Sequence, residues 1–252
     1  MSTVRSGVLT AWAGAWLAGR ISLDQVVDAT TGDDAPHVVT GLPGFEEVVA
    51  LRDVLVAWRR RGVPPRLVLP VPGDVRGLPG PAALRAAALE AGEAVVADGL
   101  AVVPTVTHHA PSSAPPSVEW TAFVADPVPA DQIDIRQAQY DLTTAIRASA
   151  TALLSAGVSG SNADVPALLS GARRAGEFVN LPPDHPAAAV ALLSQAERLQ
   201  AVLDLATGDP LGGAVDQYGM AARTEALRPL ATAVRRARLA ACNADPSAAR
   251  RD

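Results

Sequence analysis

The sequence predicts an α/β domain with a mixed, mostly parallel sheet, followed by an α-helical domain. Residues 66–106 contain a strand, a glycine-rich turn, a helix and two strands joined by a tight turn. Every strand-like pattern lies before residue 126, whereas the segments after it show apolar side chains at the 3.6-residue spacing of helices. We therefore predict five strands, the last of which form a C-terminal antiparallel hairpin, and then a helical domain.

Two helices are predicted before the first strand. Leu9, Trp12 and Trp16 share one face of a helix over residues 3–19. Ser22 is a good N-terminal cap for a second, shorter helix. A signal peptide is the alternative interpretation of the apolar N-terminal run. We favour the packed helix, because the run is preceded by a single charge and no convincing cleavage site follows it.

A strand and a long helix are predicted next. Pro36–Leu42 has the apolar run of a strand, and Pro43 and Gly44 end it. Phe45–Arg61 is predicted to be a helix, because apolar side chains recur on one face of it. That face is formed by Val48, Leu51, Leu55 and Trp58.

Three arginines end this helix. Arg59, Arg60 and Arg61 lie in its last turn, where positive charge complements the helix dipole. Gly62 can then adopt the left-handed conformation that ends many helices. Phosphate binding by the arginine triplet is the alternative interpretation, and we favour the capping role.

The remaining strands are predicted from alternating apolar residues and turn signals. A helix over Pro81–Ala91 separates two of them, so we expect the strands before and after it to be parallel. Asp98–Gly99 is a strong hairpin signal and predicts antiparallel pairing of its flanking strands. The predicted strands after the first are Arg66–Pro72, Glu93–Ala97, Leu100–Val106 and Val118–Ala125.

The second half is predicted to be helical. Long helices are expected over Ile135–Ala156, Pro186–Ala206 and Ala214–Cys242, with a short helix ending at Arg174. Pro229 is expected to kink or split the last helix. Our predicted organisation is an α/β sheet domain over 1–130, a helical domain over 131–242 and a disordered tail over 243–252.

The composition excludes several classes of function. The 21 basic residues are all arginines, so a lysine Schiff base and a Walker A loop are excluded. Such a composition is typical of the GC-rich genomes of actinobacteria. With Cys242 alone, no internal disulfide or multi-cysteine metal site can form. No stretch is long and apolar enough to cross a membrane, and a net charge of −5 argues against general nucleic-acid binding. We expect a cytoplasmic protein without a cofactor or a metal.

A glycine-rich loop is the first candidate site. The loop connects a predicted strand to a helix N-terminus, where free backbone N–H groups favour anions. It matches neither GxGxxG nor Walker A, and a rigid turn is the alternative interpretation. The candidate ligand-binding residues are Gly73, Asp74, Arg76, Gly77 and Gly80.

Two further candidates are weaker. His108 and His109 are neighbouring loop residues without the spacing of a metal site, so we interpret them as solvated side chains. Arg228, Arg235 and Arg238 share one face of the last helix and form a predicted basic patch. Docking of a nucleic acid or an acidic partner is the alternative interpretation, and we favour a solvated helix face.

These observations leave catalysis open and favour a non-catalytic role. The sequence has no GxSxG nucleophile motif and no pair of carboxylates that predicts acid–base chemistry. We expect an interaction or assembly module that binds a protein partner or a second copy of itself. The alternative is a ligand-binding protein or enzyme that takes a small phosphate or carboxylate at the carboxyl ends of the parallel strands.

The proline-rich segment Asp126–Asp131 predicts where the two parts separate. Limited proteolysis should first cut after Asn243 and then within His108–Ser117 or Asp126–Asp131, leaving a helical fragment. A fragment from Asp131 to Asp252 should show cooperative thermal unfolding by circular dichroism, because it is long enough for its own core. Non-cooperative unfolding would instead indicate one continuous domain, in which the first long helix packs across the sheet.

Overall fold

The computed structural model describes residues 4–78, 80–110, 114–127, 133–155, 174, 176, 179–208 and 217–244. The chain divides into two compact units. The sheet unit contains Ser2–Gln132, Asn180–Pro186 and the residues from Cys242 onward, and the helical unit contains Ile133–Val179 and Ala187–Ala241. The sheet unit is therefore assembled from three separate stretches of sequence. Independent folding of residues 131–242 stays a prediction.

The sheet unit combines four helices with six strands within the described residues. In chain order its elements are α1 (Arg5–Leu17), α2 (Leu23–Thr31), β1 (Val38–Thr40), β2 (Val49–Ala50), α3 (Leu51–Arg61), β3 (Arg66–Val68), α4 (Ala82–Ala91), β4 (Ala94–Ala97), β5 (Leu100–Thr107) and β6 (Ser117–Phe123). The mixed α/β class predicted from the sequence is confirmed.

The strands lie in the order β2-β1-β6-β5-β4-β3, and only β1 and β6 are parallel within it. The predicted five-stranded, mostly parallel sheet is therefore wrong in its detail. The antiparallel hairpins β4–β5 and β5–β6 are as predicted. The strand β4 runs antiparallel to β3 although α4 intervenes. The connection thus returns to the end of the sheet that it left, and the crossover rule, which concerns parallel strands, does not apply.

Two predicted elements are shorter than expected, for local reasons. The helix predicted from Phe45 begins at Leu51, because Val49 and Ala50 pair with β1 as strand β2. The Asp53 carboxylate then accepts a hydrogen bond from the Ala50 backbone N–H at 3.0 Å and caps the first turn. The strand predicted over residues 66–72 ends at Val68, since Pro70 and Pro72 cannot donate to a ladder.

Both faces of the central strands are covered, which explains their continuous apolar sequence. On β4 and β5, Val95 and Val102 belong to a core that includes residues of α1, α2 and α3. Their neighbours Val96 and Val103 belong to a second core on the opposite face, which includes Leu84 of α4. Trp58 and Trp120 are fully buried in the first core.

The helical unit contains α5 (Ile135–Ser155), α6 (Ala187–Gly208) and most of α7 (Gln217–Cys242). Leu142, Leu192 and Val234 are among the residues of its core. The helix α7 continues through Pro229 without being divided in two. Most of the predicted short helix before Arg174 and the tail after Ala244 lie outside the described residues. No helix in the described part of the chain is long and apolar enough to span a membrane.

Two asparagine side chains join distant parts of the sheet unit. The Asn180 amide accepts a hydrogen bond from Trp12 Nε1 at 2.9 Å and donates one to the Ala29 carbonyl at 2.8 Å, which links α1 to α2. The Asn243 amide accepts from the Leu67 N–H at 2.7 Å and donates to the Leu67 carbonyl at 3.0 Å. Asn243 therefore pairs with the edge strand β3 as a neighbouring strand would.

A network of hydrogen-bonded polar side chains connects α1 to the sheet. Arg5 donates two hydrogen bonds to the Asp34 carboxylate, at 2.6 and 2.8 Å. His37 Nε2 lies 3.2 Å from Asp34 Oδ2, and Trp120 Nε1 donates to His37 Nδ1 at 3.2 Å. Because Nδ1 is the acceptor, the proton of neutral His37 is on Nε2 and points to Asp34. Glu93 also binds the start of α1, accepting from the Ser6 N–H at 2.8 Å.

This network keeps the His37 imidazole neutral and the Asp34 carboxylate charged. Burial lowers the pKa of His37 below its ordinary value of 6.5, although the Asp34 carboxylate opposes the shift. The Arg5 guanidinium lowers the pKa of Asp34, and the His37 hydrogen bond adds to that effect. Protonated His37 would also place an Nδ1–H against the Trp120 N–H, so the imidazolium has no acceptor at that position.

The lowered pKa of His37 predicts a loss of stability on mild acidification. As the pH falls from 6.5 towards 5, the unfolded chain binds more protons at this histidine than the folded protein does, so the free energy of unfolding falls as pH falls. The stabilisation from Asp34 persists through this range, because its pKa is lowered from 3.8. We expect His37→Gln to be less stable than the wild type at pH 7.5 by roughly 1–3 kcal/mol. Its free energy of unfolding should fall less than that of the wild type between pH 6.5 and 5.

Urea unfolding at each pH measures this difference. His109→Gln is the control, since that side chain is exposed and its variant should keep the wild-type profile. Equal slopes for His37→Gln and the wild type would contradict the assignment of this pH dependence to His37.

Candidate functional site

A cavity of about 500 Å³ in the sheet unit is the candidate functional site. One wall is the C-terminal half of α1, from Thr10 to Ala18, and a second is the connection from α3 to β3, from Gly62 to Arg66. Cys242, Asn243 and Ala244 form a third wall. Three distant stretches of the chain therefore enclose one volume, which lies within the size range of small-molecule sites.

Local sequence features place these walls. Gly62 has a left-handed conformation, with φ of 71°, and ends α3. Pro64 and Pro65 then fix an extended path into β3. The Asn243 amide holds the third wall against Leu67, and Gly7 lets Cys242 approach α1, because a Cβ there would lie 3.0 Å from its Sγ.

Two arginines give the cavity its charge. The guanidinium of Arg59 lies over the ring of Trp16, with Cζ 4.9 Å from the ring centroid. Nη1 of Arg66 is buried and has no hydrogen-bond partner among the described residues. The lining residues include no aspartate and no glutamate. The cavity is therefore lined by two cationic residues, and one of them has a buried N–H group without a partner among the described residues.

The other polar side chains of the lining are already committed to the protein. Thr10 Oγ1 donates to the Ser6 carbonyl at 2.7 Å, and the Asn243 amide uses both of its ends on Leu67. The remaining surface comes mainly from glycine, alanine, leucine and proline side chains. Directional recognition in this cavity thus rests on the two guanidinium groups.

A second concavity, of about 670 Å³, borders the buried His37. Its lining includes Asp24 and Asp28 of α2 and Arg52 of α3. His37 contributes no free nitrogen there, because Nδ1 accepts from Trp120 and Nε2 faces Asp34. Its imidazole is therefore a structural group rather than a base that is open to a ligand.

The predicted glycine-rich loop has its own internal charge pairing. Arg76 donates to the Asp74 carboxylate at 2.9 and 2.8 Å, and Val71 pairs with Asp74 in an isolated bridge. Gly73, Gly77 and Gly80 all have positive φ, as a tight turn requires. The guanidinium that we predicted to bind an anion is thus next to a carboxylate. Ligand binding by these residues stays a prediction, and Pro79 lies outside the described residues.

The structure also shows the surroundings of the predicted histidine and arginine candidates. The exposed His109 forms a hydrogen bond with Ser117 Oγ at 2.8 Å. No group of three or more histidine, cysteine, aspartate or glutamate side chains suited to a metal occurs among the residues that the structure describes. Arg228 pairs with Glu225 at 2.7 Å on the surface, and Arg238 pairs with Glu197 at 2.9 Å where both are largely buried.

The basic patch is therefore partly neutralised by carboxylates of its own unit. Arg236 also lies 3.7 Å from Asp141, and Arg235 has partners of its own. Nucleic-acid or partner binding by Arg228, Arg235 and Arg238 stays a prediction.

The arginine triplet that ends α3, for which phosphate binding was considered, contributes Arg59 to the lining of the cavity. Arg66 was assigned only to a strand. A useful signal was present in the sequence, because only the short connection from α3 to β3, which includes Gly62–Pro65, separates Arg59 from Arg66. No local pattern connected either residue with Asn243.

The comparisons with known proteins identify relatives over nearly the whole chain. Residues 6–133 match the family model described as "Rv1486c-like protein, N-terminal domain", and residues 136–239 match "Rv1486c-like protein, C-terminal domain". The chain is 31% identical over 275 residues to "Uncharacterized protein Rv1486c" of Mycobacterium tuberculosis, covering 94% of this chain and 95% of that protein.

Two other mycobacterial proteins match over the same share of the chain. "Uncharacterized protein ML1804" of Mycobacterium leprae is 30% identical over 288 residues, and "Uncharacterized protein MAV321" of Mycobacterium avium is 28% identical over 296 residues. Each alignment covers 94% of this chain and 95% of the relative. No solved structure matches the chain significantly.

Proposed function

Because this chain belongs to the Rv1486c-like protein family and matches both of its domains, we propose a function from the geometry of its sheet unit. The protein binds a small anionic compound, a carboxylate or a phosphate, in the cavity that contains Arg59 and Arg66. The role is that of a binding protein rather than an enzyme. The observation that carries the proposal is the presence of Arg59 and Arg66 in one cavity whose lining has no aspartate and no glutamate.

The chemistry of the cavity supports an anion over a neutral or cationic ligand. A buried donor without a partner costs roughly 1–3 kcal/mol, and an anionic oxygen is the acceptor that best offsets this cost. A cationic ligand would meet two guanidinium groups and no carboxylate among the lining residues. Two arginines on separate elements can also orient one ligand from two sides.

This location replaces the one suggested by the sequence. That hypothesis placed an anion at the carboxyl ends of several parallel strands, where ligands of open parallel sheets bind. With a single parallel pair, β1–β6, in the sheet, that rule no longer applies. The cavity next to Arg66 instead lies at the start of the edge strand β3. We propose that binding occurs in the cytoplasm, with which the single cysteine is consistent.

Filling the cavity tests the proposed function without removing a charge. A Cβ added at Gly14 of α1 would meet no atom within 4 Å, so Gly14→Leu should place its side chain in the cavity. Replacing a helical glycine stabilises a helix by about 1 kcal/mol, so the variant should fold. Thermal-shift measurements with inorganic phosphate, citrate, benzoate and hexanoate should show saturable stabilisation of the wild type by at least one anion.

The matched control is Gly14→Ala, which gains helix propensity but leaves most of the cavity open. We expect the stabilising anion to act on this control and on the wild type, and to lose at least tenfold in affinity for Gly14→Leu and for Arg66→Gln. Equal binding to the wild type and Gly14→Leu, or no binding of any anion, would contradict the proposed function.

A second candidate function is self-association through the β2 end of the sheet, which is the interaction role predicted from the sequence. Phe45, Val48 and Val38 are 53%, 59% and 39% exposed there. The strand β2 is the last in the sheet order and has only two residues. Exposed apolar side chains beside an open sheet edge favour association with another chain.

Light scattering during size-exclusion chromatography tests this second candidate. We expect the wild type at tens of micromolar to be larger than a monomer of 25.8 kDa, and the double variant Phe45→Ser/Val48→Ser to be monomeric, because it removes apolar area from the interface. Leu154→Ser, on the helical unit, is the control and should behave as the wild type. A monomeric wild type would rule this candidate out.

A further inference from the structure

We infer that the ligand of the Arg59–Arg66 cavity is a monoanion with an apolar body, such as a medium-chain or aromatic carboxylate. This inference rests on the proposed function and names the class of ligand for the same site. Three properties of the lining carry it: its net charge, the commitment of its polar groups and the chemistry of its remaining walls.

The charge of the cavity fits a single negative charge. Arg59 and Arg66 contribute two positive charges. The C-terminal ends of α1, α3 and α7 border the cavity, through Ala18, Gly62 and Cys242. Each helix end is equivalent to roughly −0.5 charge. The sum is about +0.5, which is closer to the single charge of a carboxylate than to the roughly −1.5 to −2 that a phosphate monoester carries at pH 7.

The hydrogen-bonding groups argue against a sugar or a nucleoside as the body of the ligand. Such a ligand needs partners for each buried hydroxyl or ring nitrogen. The Thr10 hydroxyl donates to Ser6, and the Asn243 amide is paired at both ends with Leu67. The Gly62 N–H is also engaged, by the carbonyls of Trp58 and Arg59. Most of the donors in these walls are therefore used within the protein, which leaves few for a buried ligand hydroxyl.

The rest of the lining favours apolar atoms. Ala11, Leu17, Ala18, Pro64 and Pro65 present hydrocarbon surface, and Gly14 presents no side chain. Each methylene group that leaves water for such a surface is stabilised by about 0.8 kcal/mol. A ligand with its carboxylate at Arg66 and its chain along α1 therefore uses both the charge and the apolar wall. The volume of about 500 Å³ admits such a molecule.

A carboxylate series measures both parts of the ligand. Isothermal titration calorimetry compares acetate, butanoate, hexanoate and octanoate, with inorganic phosphate and neutral octanamide as the matched references. We expect roughly fourfold tighter binding for each added methylene until the cavity is full. Octanoate should bind at least tenfold more tightly than octanamide and than phosphate.

Variants then locate the two ends of the ligand. Arg66→Gln should abolish the preference for octanoate over octanamide, whereas Arg66→Lys should retain part of it, because the charge remains but the planar fork is lost. Gly14→Leu should shorten the chain length at which affinity stops rising. Arg85→Gln, an exposed arginine of α4, is the control and should leave every affinity unchanged.

The outcomes separate this inference from the proposed function. Tightest binding of phosphate, or equal affinity across the carboxylate series, would overturn the inference while the anion-binding function stands. Octanamide binding as tightly as octanoate would overturn both, because charge would then be irrelevant. Absence of binding by every compound would also overturn both. Rising affinity along the series, with the predicted effect of Arg66→Gln, is the supporting result.

Discussion

The Asp34 carboxylate is the group on which the sheet unit depends most. It accepts hydrogen bonds from Arg5 of α1 and from His37 next to β1, and His37 is held in turn by Trp120 of β6. Removing this carboxylate would leave the partly buried Arg5 guanidinium without its partner, which adds to the loss of the hydrogen bonds themselves. Since α1 also supplies a wall of the cavity and part of the main core, the position of the site follows from this pairing.

The cavity combines structural and chemical roles in the same residues. Arg59 and Arg66 line the same cavity as the C-termini of α1, α3 and α7, so positive charge and helix dipoles compensate each other in part even without a ligand. The apolar walls come from turns and from the last residues of α1, which have few side chains large enough to fill the space.

Sequence patterns predicted the elements whose signals are local. Ser22 does cap α2, in a capping box with Gln25, and the Asp98–Gly99 turn does join antiparallel strands. The predicted direction of β4 relative to β3 was wrong, because this direction depends on the path of a long connection rather than on the sequence of either strand. The cavity was missed because Arg59, Arg66 and Asn243 meet through the fold alone. The buried His37 gave no signal, since its partners Trp120 and Arg5 are distant in sequence.

The pairing of Asn243 with Leu67 has a consequence for the newly made chain. These partners lie 176 residues apart, and ribosomes add roughly 5–20 residues per second. The outer edge of β3 therefore waits on the order of 10–35 seconds for the side chain that covers it. During that interval the open strand can pair with other chains. Synthesis of this protein thus includes a period in which Leu67, at the edge of the sheet, lacks the side chain that pairs with it in the folded protein.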